Sequence, residues 1–190
     1  MRCIVCQRLS WNIICQTCQN NLLQASLFTR ELEDGFKVYS FYKHSEIQEL
    51  LNAKYHFFGD RIYKILLQHS FVKFAKNFEF ESNLLAIAID DRVGKFFSHT
   101  ALLTKSLKSP YIKPYYNILK AQNKIKYAGK SLEFRKQNKR DFIYSGKKNQ
   151  NVILVDDIIT TGSTMLEANE TLKTYGCNVL FGIVLSDAKL

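Results

Sequence analysis

The chain has 190 residues, is 46% hydrophobic and carries a formal net charge of +10. That length suits one medium domain with a small appendage, and the apolar content is ample for a packed core. No apolar run approaches the ~20 residues of a membrane-spanning helix, and paired cysteines interrupt the place where a secretory signal would need its apolar stretch. A cytoplasmic protein without membrane insertion is therefore expected. The charge is uneven: between Lys105 and Lys148 there are thirteen Lys and Arg against two acids, Glu133 and Asp141, a net +11 that accounts for the whole excess. Such a segment predicts a polyanionic ligand or partner.

Cys3, Cys6, Cys15 and Cys18 come first in chain order, as two CxxC pairs separated by eight residues. Each CxxC turn brings two sulfurs to one side of a tight knuckle, and two such pairs offer four thiolates to a tetrahedral zinc. In a reducing compartment a metal is favoured over disulfides. An iron–sulfur cluster and a pair of redox dithiols are the competing readings, and the spacing is not a ferredoxin pattern. Four protein ligands leave no open position for water, so the expected zinc is structural. The expected division is a zinc module over residues 1–25, whose folding energy comes largely from the metal, and an α/β domain over residues 26–190. Trp11, Ile13 and Ile14 are the candidates for packing the first against the second.

Strands are expected at residues 36–43, 84–89, 117–120, 152–155 and 177–185, from apolar or alternating runs. Helices are expected from Ser45, as N-cap with Glu49 nearby, to about Tyr55, and from Arg61 to about Asn77, capped by Asp60. Two further helices are expected at residues 95–107 and 164–174. In the second helix Ile62, Ile65, Leu66, Phe71 and Phe74 mostly recur at helical spacing. Residues 122–140 are polar and basic without clear periodicity. Cys177, at the start of the last strand, reads as a buried structural cysteine. Strands alternating with helices indicate a parallel α/β sheet, whose ligands bind beyond the carboxyl ends of the strands. Two loops fall there, residues 90–94 and 156–163.

Residues 151–167 read NVILVDDIITTGSTMLE and carry the most chemistry. A continuous apolar run suits a parallel strand covered on both faces. Asp156 and Asp157 follow, able to bind sugar hydroxyls or a hydrated Mg²⁺. Thr160, Thr161, Gly162, Ser163 and Thr164 then place hydroxyls and backbone N–H groups at a helix start, which suits a phosphate. Gly162 permits close approach of the backbone. A ribose 5-phosphate fits the set. The competing reading is an acidic turn that only caps a helix through Thr160 or Thr161. No GxxxxGK[ST] or GxGxxG occurs, which excludes a P-loop and a dinucleotide fingerprint.

These residues resemble the phosphoribosyl-pyrophosphate (PRPP) signature of type I phosphoribosyltransferases. The resemblance implies that Asp156 and Asp157 hold the ribose hydroxyls, directly or through Mg²⁺, while residues 160–164 wrap the 5′-phosphate. Asp90, Asp91 and Arg92, at the end of the preceding strand, are candidates for the pyrophosphate side. A double CxxC ahead of such a domain resembles the ComF family of natural competence over nearly the whole chain. Lys43, Lys54 and Gly59 fit its Lys-containing stretch loosely. Of its Arg-Gly-Phe-Asn-Gln patch only Phe97 matches. In its basic loop Gly129, Ser131, Arg135 and Asn138 match, with Tyr127 in place of a Gln.

That resemblance implies action on incoming single-stranded DNA, together with other DNA-uptake or recombination proteins. Lys124, Lys126, Lys130, Arg135, Lys136, Lys139 and Arg140 would neutralise phosphates, and Tyr111, Tyr115, Tyr116, Tyr127 and Phe134 would stack bases. The plainer readings are a solvated basic face and aromatics that fill the core. The alternative function is an active phosphoribosyltransferase of unknown acceptor. Lys130 and Arg135 would then close over the pyrophosphate and exclude water. A regulator that senses PRPP is a third reading, though nothing resembles a DNA-reading helix.

Overall fold

The computed structural model describes residues 1–89, 98–123 and 139–190. Helix α1 (Gln16–Leu22) follows the cysteine turns, and β1 (Phe28–Glu31) then pairs antiparallel with β2 (Lys37–Lys43). Next come α2 (His44–Leu51), a 3₁₀ turn at Asn52–Tyr55, α3 (Gly59–His69), α4 (Phe71–Asn77), β3 (Leu84–Ala88), α5 (His99–Ser106) and β4 (Ile112–Tyr115). The chain continues through β5 (Leu119–Ala121), β6 (Phe142–Tyr144), β7 (Asn151–Ile159), α6 (Ser163–Thr174) and β8 (Asn178–Asp187). Six strands form one sheet in the order β1-β2-β8-β7-β3-β4, parallel except for the edge strand β1. The expected α/β parallel sheet is present. No helix among the described residues is long and apolar enough to cross a membrane.

The sheet is covered on both faces, which explains why β7 is an unbroken apolar run at its start. Successive side chains leave opposite faces of a strand. Ile153 and Val155 join a core with Ile47, Tyr63, Leu66 and Leu103 from α2, α3 and α5. Val152 and Leu154 join a second core with Met165, Ala168 and Leu172 of α6. Leu119, Ala121, Phe142 and Tyr144 complete that second core. They belong to a two-stranded antiparallel ribbon, β5 with β6, that stands apart from the main sheet.

Several expected boundaries move for identifiable reasons. The helix expected over 61–77 is two helices. Ser70 leaves helical geometry at φ −123°, ψ −89°, and its hydroxyl donates to the Leu66 carbonyl at 2.8 Å, closing the first helix. Asp60 lies inside the first turn and binds Lys64 at 2.7 Å, so it does not cap. Ser45 is likewise inside α2; the N-cap is Lys43, whose N–H donates to Glu46 Oε2 at 3.4 Å. Strand β7 runs on through the acid pair to Ile159 because β8 continues to pair with it there. Strands β1, β4 and β6 are too short to produce a periodic signal. Pro114 in β4 is tolerated because that strand is at the sheet edge.

The cysteine segment packs into the same core as α3 and α4: Cys3, Ile14, Cys18 and Leu23 are buried there, and Ile13 lies against it. Trp11, also expected to pack, is 98% exposed. The knuckle tip carries it outward while Ile14, beside the second cysteine pair, faces in. Cys177 is buried beneath α6, as the bland reading expects. Ile14→Ala should therefore cost ~2–5 kcal/mol of unfolding free energy, whereas Trp11→Ala should stay within about 0.5 kcal/mol of wild type. Urea unfolding of the two variants measures the contrast.

Candidate functional site

Asp156 and Asp157 are consecutive residues of β7, so their side chains leave opposite faces of the sheet. Asp157, on the α3–α5 side, is 6% exposed. A buried carboxylate needs compensation, and Lys54, delivered by the 3₁₀ turn after α2, supplies it with Nζ 2.6 Å from Asp157 Oδ2. His99, at the start of α5, brings Nε2 to 3.6 Å of the same oxygen. The Asp157 pKa is lowered: burial opposes this, but Lys54 and His99 outweigh it. Lys54 is raised against its own desolvation by the Asp157 charge. Tyr63 of α3 is raised by burial and by the nearby Asp157, and its hydroxyl donates to the Leu51 carbonyl at 3.2 Å.

Asp156 faces the α6 side and has no such lysine within bonding distance among the described residues. Its Oδ1 accepts the Asp157 backbone N–H at 2.8 Å. Burial, reinforced by the charge of Asp157, pushes its pKa up to about 8, with Arg140 and Lys54 pulling the other way. An added cation or a ligand hydroxyl donor would relieve this carboxylate. Among the described residues the pair thus differs: Asp157 is paired with a lysine at bonding distance, and Asp156 is not.

The loop after β7 gathers hydroxyl groups. Thr161 Oγ1 and Ser163 Oγ are 2.6 Å apart, and the Ser163 N–H points at Thr161 Oγ1 at 3.4 Å. Gly162 has φ +88°, in the left-handed region, and a Cβ there would lie 2.8 Å from Leu32 side-chain atoms. The left-handed backbone favours glycine, and any larger residue would also make the Leu32 side chain shift. Thr160 is exposed, and Thr161, Ser163 and Thr164 are half-buried. Helix α6 starts at Ser163, and N–H groups of its first turn lack intrahelical acceptors, the condition in which a helix start suits an anion. Arg30 of β1 binds the Thr160 carbonyl at 2.8 Å and Asp187 of β8 at 3.0 Å.

The basic segment lies between β5 and β6. Pairing continues past the ribbon, with the Gln122 and Asn123 N–H groups donating to the Asp141 and Arg140 carbonyls at 3.1 Å each. Glu167 of α6 fixes this base by accepting the Arg140 N–H at 3.1 Å and the Asp141 N–H at 2.8 Å. A carboxylate on the helix that follows the Thr160–Thr164 hydroxyls therefore anchors the root of the basic segment. Lys139 is exposed and Arg140 half-buried. Lys124, Lys126, Lys130, Arg135, Lys136, Tyr127 and Phe134 lie outside the described residues, as do Asp90, Asp91 and Arg92. Tyr115 and Tyr116 are 38% and 41% exposed, while Tyr111 packs partly against the core.

The four cysteine sulfurs lie within 4.8 Å of one another. Cys6 and Cys15 Sγ are 3.6 Å apart, near the ~3.8 Å that a tetrahedral ion with ~2.3 Å bonds to sulfur requires. The Cys15 backbone N–H points at Cys3 Sγ at 3.2 Å. Burial opposes ionisation of Cys3, but backbone N–H groups hold it at about 6. Burial and the neighbouring sulfurs push Cys18 up to about 12. Four crowded sulfurs cannot all ionise without a cation, and the cluster is fit to hold a metal ion such as zinc.

Sequence reasoning found the acid pair, the hydroxyl loop and the cysteines, and reached Lys54 only as a loose family match. It missed Arg30, His99, Glu167 and Asp187, which are isolated charged residues brought in from distant elements. Only the charge of Asp157, buried in an apolar strand, signals that a cation must come to meet it.

Residues 117–189, which span β5 to β8, match the phosphoribosyl transferase domain family. Among solved structures the chain is similar to an adenine phosphoribosyltransferase at 16% identity, covering 89% of this chain and 88% of that one, TM-score 0.41. It is similar to adenine phosphoribosyltransferase from Saccharomyces cerevisiae at 16% identity, covering 89% and 87%, TM-score 0.42. A third is orotate phosphoribosyltransferase from Mycobacterium tuberculosis H37Rv, at 14% identity, covering 89% and 81%, TM-score 0.39. No curated protein sequence matches the chain.

A carboxyl group whose pKa rises on folding takes up a proton on folding. Stability then falls as pH rises from the unfolded carboxylate value of ~4 to the folded value of about 8. In Mg²⁺-free buffer Asp156→Asn should raise the melting temperature at pH 8 by on the order of 10 °C and change it little at pH 4. Melting curves across that range test it. Equal shifts at both ends would show that Asp156 does not titrate as described.

Proposed function

We propose that this chain binds PRPP with Mg²⁺ at the carboxyl ends of β7 and β3 and that it is a ComFC-like cytoplasmic protein of natural transformation, binding incoming single-stranded DNA. The observation that carries the PRPP site is the run from β7 through Asp156, Asp157 and the Thr160–Thr164 hydroxyls into α6, within the segment matching the phosphoribosyl transferase domain. Thr160, Thr161, Gly162, Ser163 and Thr164 take the 5′-phosphate on backbone N–H groups and hydroxyls. Asp156 takes a ribose hydroxyl or the hydration shell of Mg²⁺, which supplies charge neutralisation for the diphosphate. Asp157, held by Lys54, keeps the floor of the site rigid and contributes its remaining oxygen. Asp90, Asp91 and Arg92 are assigned to the pyrophosphate side.

Saturating PRPP with Mg²⁺ should raise the melting temperature, because a ligand at 100 times its Kd stabilises the folded state by about 2.7 kcal/mol. Asp156→Ala combined with Asp157→Ala should abolish the shift. Wild-type protein that shows no shift at saturating PRPP would rule the site out.

The nucleic-acid part rests on the net +11 between Lys105 and Lys148 and on exposed Tyr115 and Tyr116 beside it. Lys124, Lys126, Lys130, Arg135, Lys136, Lys139 and Arg140 neutralise backbone phosphates, and the aromatics favour unpaired bases. DNA-uptake or recombination proteins are the further partners of this reading. Affinity for single-stranded DNA should exceed that for duplex and fall steeply with salt. Alanine at Lys124, Lys126, Lys130, Lys136, Lys139 and Arg140 should flatten that salt dependence. Unchanged binding by that variant would assign the charge to PRPP or to solubility instead.

An active phosphoribosyltransferase is the second reading, favoured by the way Glu167 roots the basic segment on the phosphate-binding helix. Lys130 and Arg135 would then close over the departing pyrophosphate. PRPP consumption assayed with and without nucleobases and single-stranded DNA separates it from a binding role.

The cysteine cluster is proposed to hold one structural zinc. Metal analysis should find about one zinc per chain, as four closed thiolate positions imply. Cys18→Ser should lower the melting temperature of the whole protein, because Cys3 and Cys18 sit in the same core as α3 and α4. An iron–sulfur absorbance, or protein free of zinc, would overturn it.

A further inference from the structure

We infer that Arg30 and Asp187 form a clamp that presets the Thr160–Gly162 loop for a phosphate, with Arg30 as a positioning residue that does not touch the ligand. The inference rests on the PRPP reading for its ligand and on the geometry alone for its mechanism. Arg30 Nη1 donates to the Thr160 carbonyl at 2.8 Å and to Asp187 Oδ1 at 3.0 Å, and Nη2 approaches the Thr161 carbonyl at 3.4 Å. In a trans peptide the N–H points opposite to the carbonyl. Two carbonyls turned towards one guanidinium therefore turn the N–H groups of Thr161 and Gly162 away from it, to the opposite side of the loop.

The clamp is itself held from behind. Asp187 is 2% exposed, and its Oδ1 also accepts the Lys189 N–H at 2.9 Å. The following residue, Ala188, donates its N–H to the Ile159 carbonyl at 2.9 Å, which ties this corner to the end of β7. The Arg30 side chain is 16% exposed. Its planar fork serves three acceptors at once, a geometry that a lysine ammonium on a flexible stem does not reproduce. Leu32, two residues on, fills the space against Gly162 and blocks the loop from relaxing on that side. A loop fixed before binding loses less conformational entropy when the ligand arrives.

The test uses the full metal-loaded chain as wild type, Arg30→Ala and Arg30→Lys. Amide hydrogen exchange is followed in ligand-free protein for peptides covering residues 158–166, with peptides from α3 as the control for global unfolding. Calorimetry then gives Kd for ribose 5-phosphate and for magnesium pyrophosphate, which lacks the 5′-phosphate. Loop exchange should rise at least about tenfold in both variants with α3 unchanged, as expected for a local opening. Ribose 5-phosphate should bind about tenfold more weakly to both, and pyrophosphate should be unaffected, because only the preset loop is lost. Wild-type loop exchange in Arg30→Lys, or wild-type ribose 5-phosphate affinity in it, overturns the clamp in favour of bare charge. Should Arg30→Ala unfold, Arg30→Lys alone decides. Should the wild-type protein bind neither ligand, the PRPP reading fails, while the exchange comparison still decides whether Arg30 sets the loop.

Discussion

Two adjacent carboxylates on a buried strand set the terms for everything around them. Their side chains leave opposite faces of the sheet, so one neighbour cannot satisfy both. Asp157 enters the side occupied by α2, α3 and α5, where desolvation would hold it protonated. Lys54 at 2.6 Å and His99 at 3.6 Å reverse that. This obliges the chain after β2 to end α2 at Leu51 and tighten into a 3₁₀ turn, because that turn carries Lys54. It also obliges α5 to begin with His99 over the end of β7. Asp156, on the other face, has no lysine at bonding distance among the described residues and keeps a raised pKa.

The same corner shows how an edge strand comes to matter. β1 has four residues and, among the described strands, pairs with β2 at the sheet edge. Its contribution is Arg30, which reaches the loop between β7 and α6 and the end of β8. The loop has left-handed backbone at Gly162 and two carbonyls turned to one guanidinium, an arrangement that is not stable in isolation. External acceptors and donors have to hold them, and a guanidinium is suited to that by its planar array of donors.

The cysteine cluster is joined to this framework by packing. Cys3, Ile14, Cys18 and Leu23 share a core with Phe41, Tyr63, Leu66 and Phe71. The cysteine turns thus depend on the α/β core for their buried side, and the core depends on them to cover its apolar surface. Four sulfurs within 4.8 Å gain from a shared cation, which exposed and isolated thiols would not.

The sequence by itself determined the features that arise from local chemistry. The apolar run of β7, the acid pair, the Thr-Thr-Gly-Ser-Thr loop and the double CxxC are all contiguous or nearly so, and each has a distinctive physical purpose. The parallel sheet was legible because buried strands on both faces need unbroken apolar runs. The helix break at Ser70 was not, because apolar spacing continues across it and only the bond from Ser70 Oγ to Leu66 closes the first helix. The short strands β1, β4 and β6 have too few residues for a period. Trp11 reads as a packing residue by its type, but the direction of the knuckle tip decides that it faces solvent. The partners of the site come from positions about 26 to 157 residues away in the chain, as with Arg30 to Asp187 at 157 and Glu167 to Asp141 at 26. A lone Arg, His or Glu has no periodicity and no motif, so only the folded chain, by bringing charges together where water is excluded, decides which of them serve the site.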